Sequence, residues 1–174
     1  MATPGGLAAW ARWLAGASVL ALAPCAVHAA LPEPDLKAQV LVRSLLFVLW
    51  PAPTDPREDL VLCVPELHPW AAALGRQPPQ SVNGRRLQLR LASTDPGHQC
   101  HVAVVGPEGG RDGFGRRPGL LRVGGYPGAL DDGVMLNLQV DAGRVVFDVH
   151  LRAVREDGLD IDTRLLRLAR FVQK

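Results

Sequence analysis

The sequence predicts a single layered α/β domain, Rossmann-like, whose mixed sheet combines parallel βαβ strands with a C-terminal antiparallel hairpin and a terminal helix. Three observations predict it. "DLVLCVPE" and "CHVAVVG" are short, continuous apolar runs with β-branched residues, as in strands buried on both faces. Apolar runs separated by helical segments form the alternation that builds parallel crossovers. Near the end, "GVMLNLQV" and "VVFDVHL" flank the turn "DAGR", two alternating runs around a glycine.

Taken in order, residues 1–29 carry no acid and one base, Arg12, then the apolar run "WLAGASVLALA" and small residues at Val27 and Ala29. That is the three-part pattern of a secretory signal, with cleavage expected after Ala29. The run is shorter than the roughly 18 residues a membrane span needs. Pro24 is unlike the small residue that precedes a lipidated cysteine, so Cys25 is expected to leave with the signal. The expected organisation is a signal peptide at 1–29 and one domain at 30–174, long enough to bury a core.

"LKAQVLVRSLLFVLW", Leu36 to Trp50, reads as a helix capped by Asp35 and stopped by Pro51. Only Arg43 and Ser44 interrupt its apolar second half, so it is a well-buried core helix or it touches a partner. After the first strand, "HPWAAALG" reads as a short helix closed by Gly75. The "NG" of Asn83 and Gly84 then turns into "RRLQLRLA", where Leu87, Leu89 and Leu91 share a face. From Gly106 to Gly119 six glycines and two prolines make a loop, and "LLRVGG" is one more strand. In "DIDTRLLRLARFVQK", Asp162 is placed to cap a helix with Leu165, Leu168, Ala169 and Val172 on one face. Arg164, Arg167 and Arg170 would form its solvated side.

Chemistry is excluded class by class. Arginines alternate with acids, and loss of Arg12 takes the formal charge from +2 to +1, so there is no footprint for nucleic acid. "GFGRRPG" lacks the dinucleotide fingerprint, and neither lysine, Lys37 nor Lys174, follows a glycine as a P-loop requires. No serine sits in a nucleophile elbow. His98, Cys100 and His101 alternate along a strand and would not converge on one ion, and no C-x-x-C or H-x-x-x-H spacing exists. No catalytic residue, cofactor site or metal site is therefore expected. Two cysteines remain in the exported domain, Cys63 and Cys100, and an even count favours pairing in an oxidising compartment. Their strands would be neighbours in a 2-1-3 order, so a structural disulfide is expected over two free buried thiols.

The ordered string "LKAQVLVRSLLFVLWP", "LVLCVPELHPWAAAL", "SVNGRRLQLRLAS", "CHVAVVG", "GVMLNLQVDAGRVVFDVHL" and "TRLLRLAR" resembles the YfiR family of small periplasmic proteins. The resemblance implies a repressor that binds the periplasmic domain of a membrane diguanylate cyclase and lowers cyclic-di-GMP. It further implies sequestration by an outer-membrane lipoprotein and impairment under reducing conditions. Cys63 and Cys100 fall where the family's disulfide lies, Trp50 and Pro51 match the end of its first helix, and Asn137 matches a strand asparagine. Arg43, Leu46, Leu49 and Trp50 on that first helix are the candidate partner-binding residues, and the first three depart from the polar pattern of relatives. His150 stands in place of an asparagine, and the Gly/Pro-rich loop in place of a helix. A homodimer stays open. The competing expectation, of another class, is a periplasmic small-ligand sensor serving a kinase or transporter, with a pocket at the strand ends.

Overall fold

The structure is a computed structural model that describes residues 31–51, 58–94, 99–107 and 114–174. The expected export signal, His98 and the middle of the glycine-rich loop lie outside the described residues. The chain runs through α1 (Glu33–Ser44), a 3-10 turn (Leu45–Phe47), β1 (Val48–Leu49), β2 (Leu60–Val64), α2 (Trp70–Gly75), β3 (Ser81–Val82) and β4 (Arg85–Leu91). It continues through β5 (Val102–Val104), β6 (Leu121–Gly124), β7 (Leu136–Asp141), β8 (Arg144–His150), α3 (Leu151–Glu156), β9 (Asp160–Ile161), α4 (Thr163–Leu166) and β10 (Phe171–Gln173). Residues Leu31–Lys174 make one compact unit.

Eight strands form one sheet in the order β10-β8-β7-β6-β5-β2-β4-β3. From β4 to β7 all neighbours are parallel, while β7–β8 and β3–β4 are antiparallel hairpins and β10 lies parallel to β8. This is the expected mixed α/β sheet. Its hairpin turns obey the rule that two-residue connections need positive φ at both positions: Asn83 and Gly84 have φ of 52° and 84°, and Ala142 and Gly143 have 47° and 75°.

Alternation along the strands assigns each face of the sheet. Leu60, Leu62, Val64, Val102, Val104, Leu121, Val123, Leu136, Leu138, Phe147 and Val149 point into one cluster, shared with Leu41 and Leu45 at the end of α1 and with Trp70 and Leu74 of α2. The opposite face holds a smaller cluster of Val61, Cys63, Cys100, Ala103, Val105, Phe114, Leu120, Ala129 and Val134, covered by loops. Farther along that face the strands contribute buried polar residues, Arg122, Asn137, Asp148 and His150.

Four expectations are corrected. Asp35 does not cap α1. Pro32 is the cap residue and Pro34 lies in the first turn, where a missing N–H costs nothing, while the Asp35 carboxylate pairs with Arg76 at 2.7 Å. The helix does not reach Trp50, because Val48 and Leu49 leave it to pair antiparallel with Ile161 and Asp160. No long helix forms between Thr163 and Lys174. Asp162 does cap α4 by accepting from the Arg164 N–H, but α4 is a single turn, Leu168 is 71% exposed, and Phe171–Gln173 extends along β8. Arg170 is accordingly no free solvated side chain: its guanidinium bonds both carboxylate oxygens of Asp148, at 2.9 and 2.5 Å. Leu87, Leu89 and Leu91 do share a face of β4, with Leu87 and Leu89 half-buried and Leu91 exposed at the strand's end. Sequence pattern did not reveal α3, a short helix capped by His150, whose Nδ1 accepts from the Ala153 N–H at 3.2 Å.

Candidate functional site

The cysteines are joined. Cys63 lies in β2 and Cys100 two residues before β5, strands that are hydrogen-bonded neighbours in the register Cys63 to Ala103, and their Cα atoms are 5.8 Å apart in a disulfide. Both are fully buried against Phe114 and Leu120. The adjacent His101 serves the backbone. Its Nδ1 accepts the Val61 N–H at 3.1 Å, and its Nε2 lies 2.9 Å from the Arg85 guanidinium and 3.3 Å from the Glu58 carboxylate. Burial, with Arg85 adding repulsion, holds this ring below its ordinary pKa. Among the described residues no group of three or more His, Cys, Asp or Glu side chains is placed to hold a metal.

The four candidate partner residues sit where the helix breaks. Through the 3-10 turn and β1, Leu45 and Val48 go inward with no exposure, while Leu46 (47% exposed), Leu49 (52% exposed) and Arg43 are exposed. Trp50 is half-buried, and its indole Nε1 is buried without a partner among the described residues. The turn is held from beneath, where the Asp162 N–H donates to the Phe47 carbonyl at 2.8 Å and the Arg164 guanidinium lies 5.3 Å over the Phe47 ring. Arg43, Leu46 and Leu49 thus form one surface row with a fixed backbone, while Trp50 contributes only its accessible part.

A second location was not singled out by sequence reasoning. In a parallel sheet the crevice for ligands opens at the carboxyl ends of strands where the connection order reverses. Here β2 leads to β4 on one side, and the chain then returns to β5 on the other, so the reversal falls between β2 and β5. A cavity of about 410 Å³ lies there, lined among others by Lys37, His68, Trp70, Gly106, Gly125 and Tyr126.

Lys37 is only 5% exposed. Its ammonium donates to the Gly125 carbonyl at 3.2 Å, pairs with Glu33 one helical turn back at 2.6 Å, and lies 5.8 Å from the Trp70 ring. Trp70 can lie across this backbone only because residue 125 is glycine, since an added Cβ would stand 2.5 Å from the indole. Asn137 pins the same segment by exchanging two hydrogen bonds with the backbone of Tyr126, at 3.2 and 3.1 Å. His68 Nδ1 accepts the Trp70 N–H at 3.1 Å, and burial together with the charge of Lys37 keeps the ring neutral by lowering its pKa. One signal for this site was present in the sequence: in an arginine-rich chain Lys37 is one of two lysines and stands four residues after Glu33.

Among the described residues no helix is long and apolar enough to cross a membrane. A search of curated proteins found no match to the chain. A sequence model of the family described as YfiR/HmsC-like matches residues 34–170, which takes in every strand from β1 to β9 together with the disulfide, the exposed row and all of the named cavity lining but Glu33. The chain therefore belongs to the YfiR/HmsC-like family.

Proposed function

We propose that the protein is a periplasmic regulator, not an enzyme, that binds the periplasmic domain of an inner-membrane diguanylate cyclase and holds cyclic-di-GMP synthesis down. The observation that carries this reading is membership of the YfiR/HmsC-like family across residues 34–170. Two features support it. The Cys63–Cys100 disulfide suits an oxidising compartment, and the row of Arg43, Leu46 and Leu49 offers apolar side chains on a rigid turn, as a protein contact needs. Export through a signal cleaved after Ala29 belongs to the same proposal, as does an outer-membrane lipoprotein that sequesters the regulator.

Mechanistically the regulator acts by differential binding. A protein that binds the inactive cyclase about a hundredfold more tightly than the active one shifts the balance by roughly 2.7 kcal/mol. The test is cellular cyclic-di-GMP in a strain that lacks this gene, then in the complemented strain. The expected result is a rise on deletion that the wild-type gene reverses and a Leu46→Asp, Leu49→Asp variant of unchanged melting temperature does not. No rise on deletion, with the candidate cyclases expressed, overturns the reading.

A further inference from the structure

We propose that the cavity at the carboxyl ends of β2 and β5 is a binding site for a small organic carboxylate with a flat apolar body, its anion held by Lys37 and His68 and its body lying against Trp70. The reading starts from what a buried lysine requires. An ammonium removed from water needs its three N–H groups and its charge answered from within the protein. Here the fixed partner is a neutral carbonyl, Gly125, and the carboxylate that meets the charge is that of Glu33, which is 57% exposed on the open first turn of α1. Charge compensation by an exposed side chain is weak and exchangeable. An incoming carboxylate can take the place of Glu33 at the same cation.

The second donor follows from tautomer logic. His68 accepts the Trp70 N–H on Nδ1, so its own proton sits on Nε2. Two donors, one charged and one neutral, therefore border one cavity, and a carboxylate has two oxygens to accept from them. The lining among the described residues also offers apolar and flat groups, with Trp70 edge-on to His68 at 5.3 Å between ring centroids and Pro34, Pro69 and Pro107 around it. The volume falls in the usual range for small-molecule sites, roughly 300–1,000 Å³. By contrast, the hollow of about 350 Å³ beside β4 is lined by Leu74, Leu87, Leu89 and Gly75, and its one charged lining residue among the described residues, Arg86, is exposed. The switch-point cavity combines position, a buried cation and an aromatic wall.

Calorimetric titration of the purified protein with phenylacetate, phenylacetamide and inorganic phosphate tests the site without any cyclase present, so its outcome is separate from the cyclic-di-GMP experiment. Phenylacetate is expected to bind with a millimolar or tighter Kd, shifting the Trp70 indole resonance and leaving that of Trp50 in place. Phenylacetamide, with the same body and no charge, should bind about tenfold or more weakly, and phosphate should be weaker than phenylacetate because it lacks the body. His68→Gln should weaken phenylacetate by about tenfold. Glu33→Gln changes only an exposed side chain and should strengthen it about threefold or more, since the internal competitor is gone. That variant keeps the test decisive even if Lys37→Met, expected to abolish binding, does not fold. Equal affinity for phenylacetate and phenylacetamide, or no phenylacetate binding by either wild type or Glu33→Gln, overturns the proposal.

Discussion

The two faces of the central sheet are built on different physical terms. Under α1 and α2, Leu41, Leu62, Leu121, Leu136 and their neighbours make one continuous apolar cluster in which burial is spread over many side chains. On the loop-covered face the apolar cluster is small, two of its members are the disulfide cysteines, and Asn137, Asp148 and His150 farther along are polar groups with individual partners. Asn137 exchanges bonds with Tyr126, Asp148 with Arg170, and His150 caps α3. Dispersed burial tolerates the loss of one contact better than a short inventory of directed bonds does. The loop-covered face should therefore depend on single, named links.

Replacing Cys63 and Cys100 by alanine, or reducing the wild type, tests the strongest of those links. The chain-entropy estimate for a separation of 37 residues is a loss of about 4 kcal/mol, a large part of an ordinary domain's ~5–15 kcal/mol. Urea unfolding with and without a reductant measures it, and an unmoved midpoint would erase the contrast between the faces. On the other face Leu62→Ala, at a side chain with 1% exposure, is expected to cost about 3 kcal/mol, without any added effect of the disulfide's redox state. Next comes Arg170→Ala, which strands the buried Asp148 carboxylate. With Arg170 itself partly exposed, the expected loss is about 1–2 kcal/mol, and restoration in Arg170→Ala, Asp148→Asn would show that the stranded charge is the cause.

The smallest effect concerns acid. His68, His101 and His150 each use Nδ1 to accept a backbone N–H, and each ring is held below the ordinary 6.5, chiefly by burial. In the unfolded chain the same rings take up protons near 6.5, so below that pH the unfolded state holds more protons than the folded one. Stability should be full above about pH 6.5 and fall as the pH drops further. His150→Asn preserves an acceptor at the cap of α3 and cannot titrate. Its acid slope should be shallower than the wild type's, whereas His150→Ala should lose about 1 kcal/mol at neutral pH. Melting temperatures between pH 7.5 and 5.5 decide both.

The same contrast explains what could be read from the sequence. The helix-covered face is written in periodicity, so the β2 run, the Asn83–Gly84 turn and the β7–β8 hairpin were legible from apolar spacing and glycine placement. So was the proximity of Cys63 and Cys100, which needed only the strand order. What failed were segments whose local pattern lost to a distant partner. "VLW" continues a helical run but is drawn into pairing with Asp160 and Ile161, and "FVQ" continues another but is taken up by the edge of β8. Asp35 has the chemistry of a cap, yet Pro32 and Pro34 fix where the helix starts. The cavity was illegible for a related reason: Lys37, His68 and Gly125 are far apart in sequence, and each is unremarkable until the reversal of strand order brings them together.

The pairing of β1 with β9 also sets an order of assembly. Val48 cannot find Ile161, and β8 cannot be joined by β10, until nearly the whole chain has been made, so both sheets stay incomplete through most of synthesis. Cys63 and Cys100 can meet as soon as residue 100 has emerged. At that stage Phe114 and Leu120, which will cover the disulfide, have yet to be made, and neither cysteine has another of the domain to pair with, so an oxidising compartment reached before the chain is complete would close the crosslink in its native connectivity ahead of its burial.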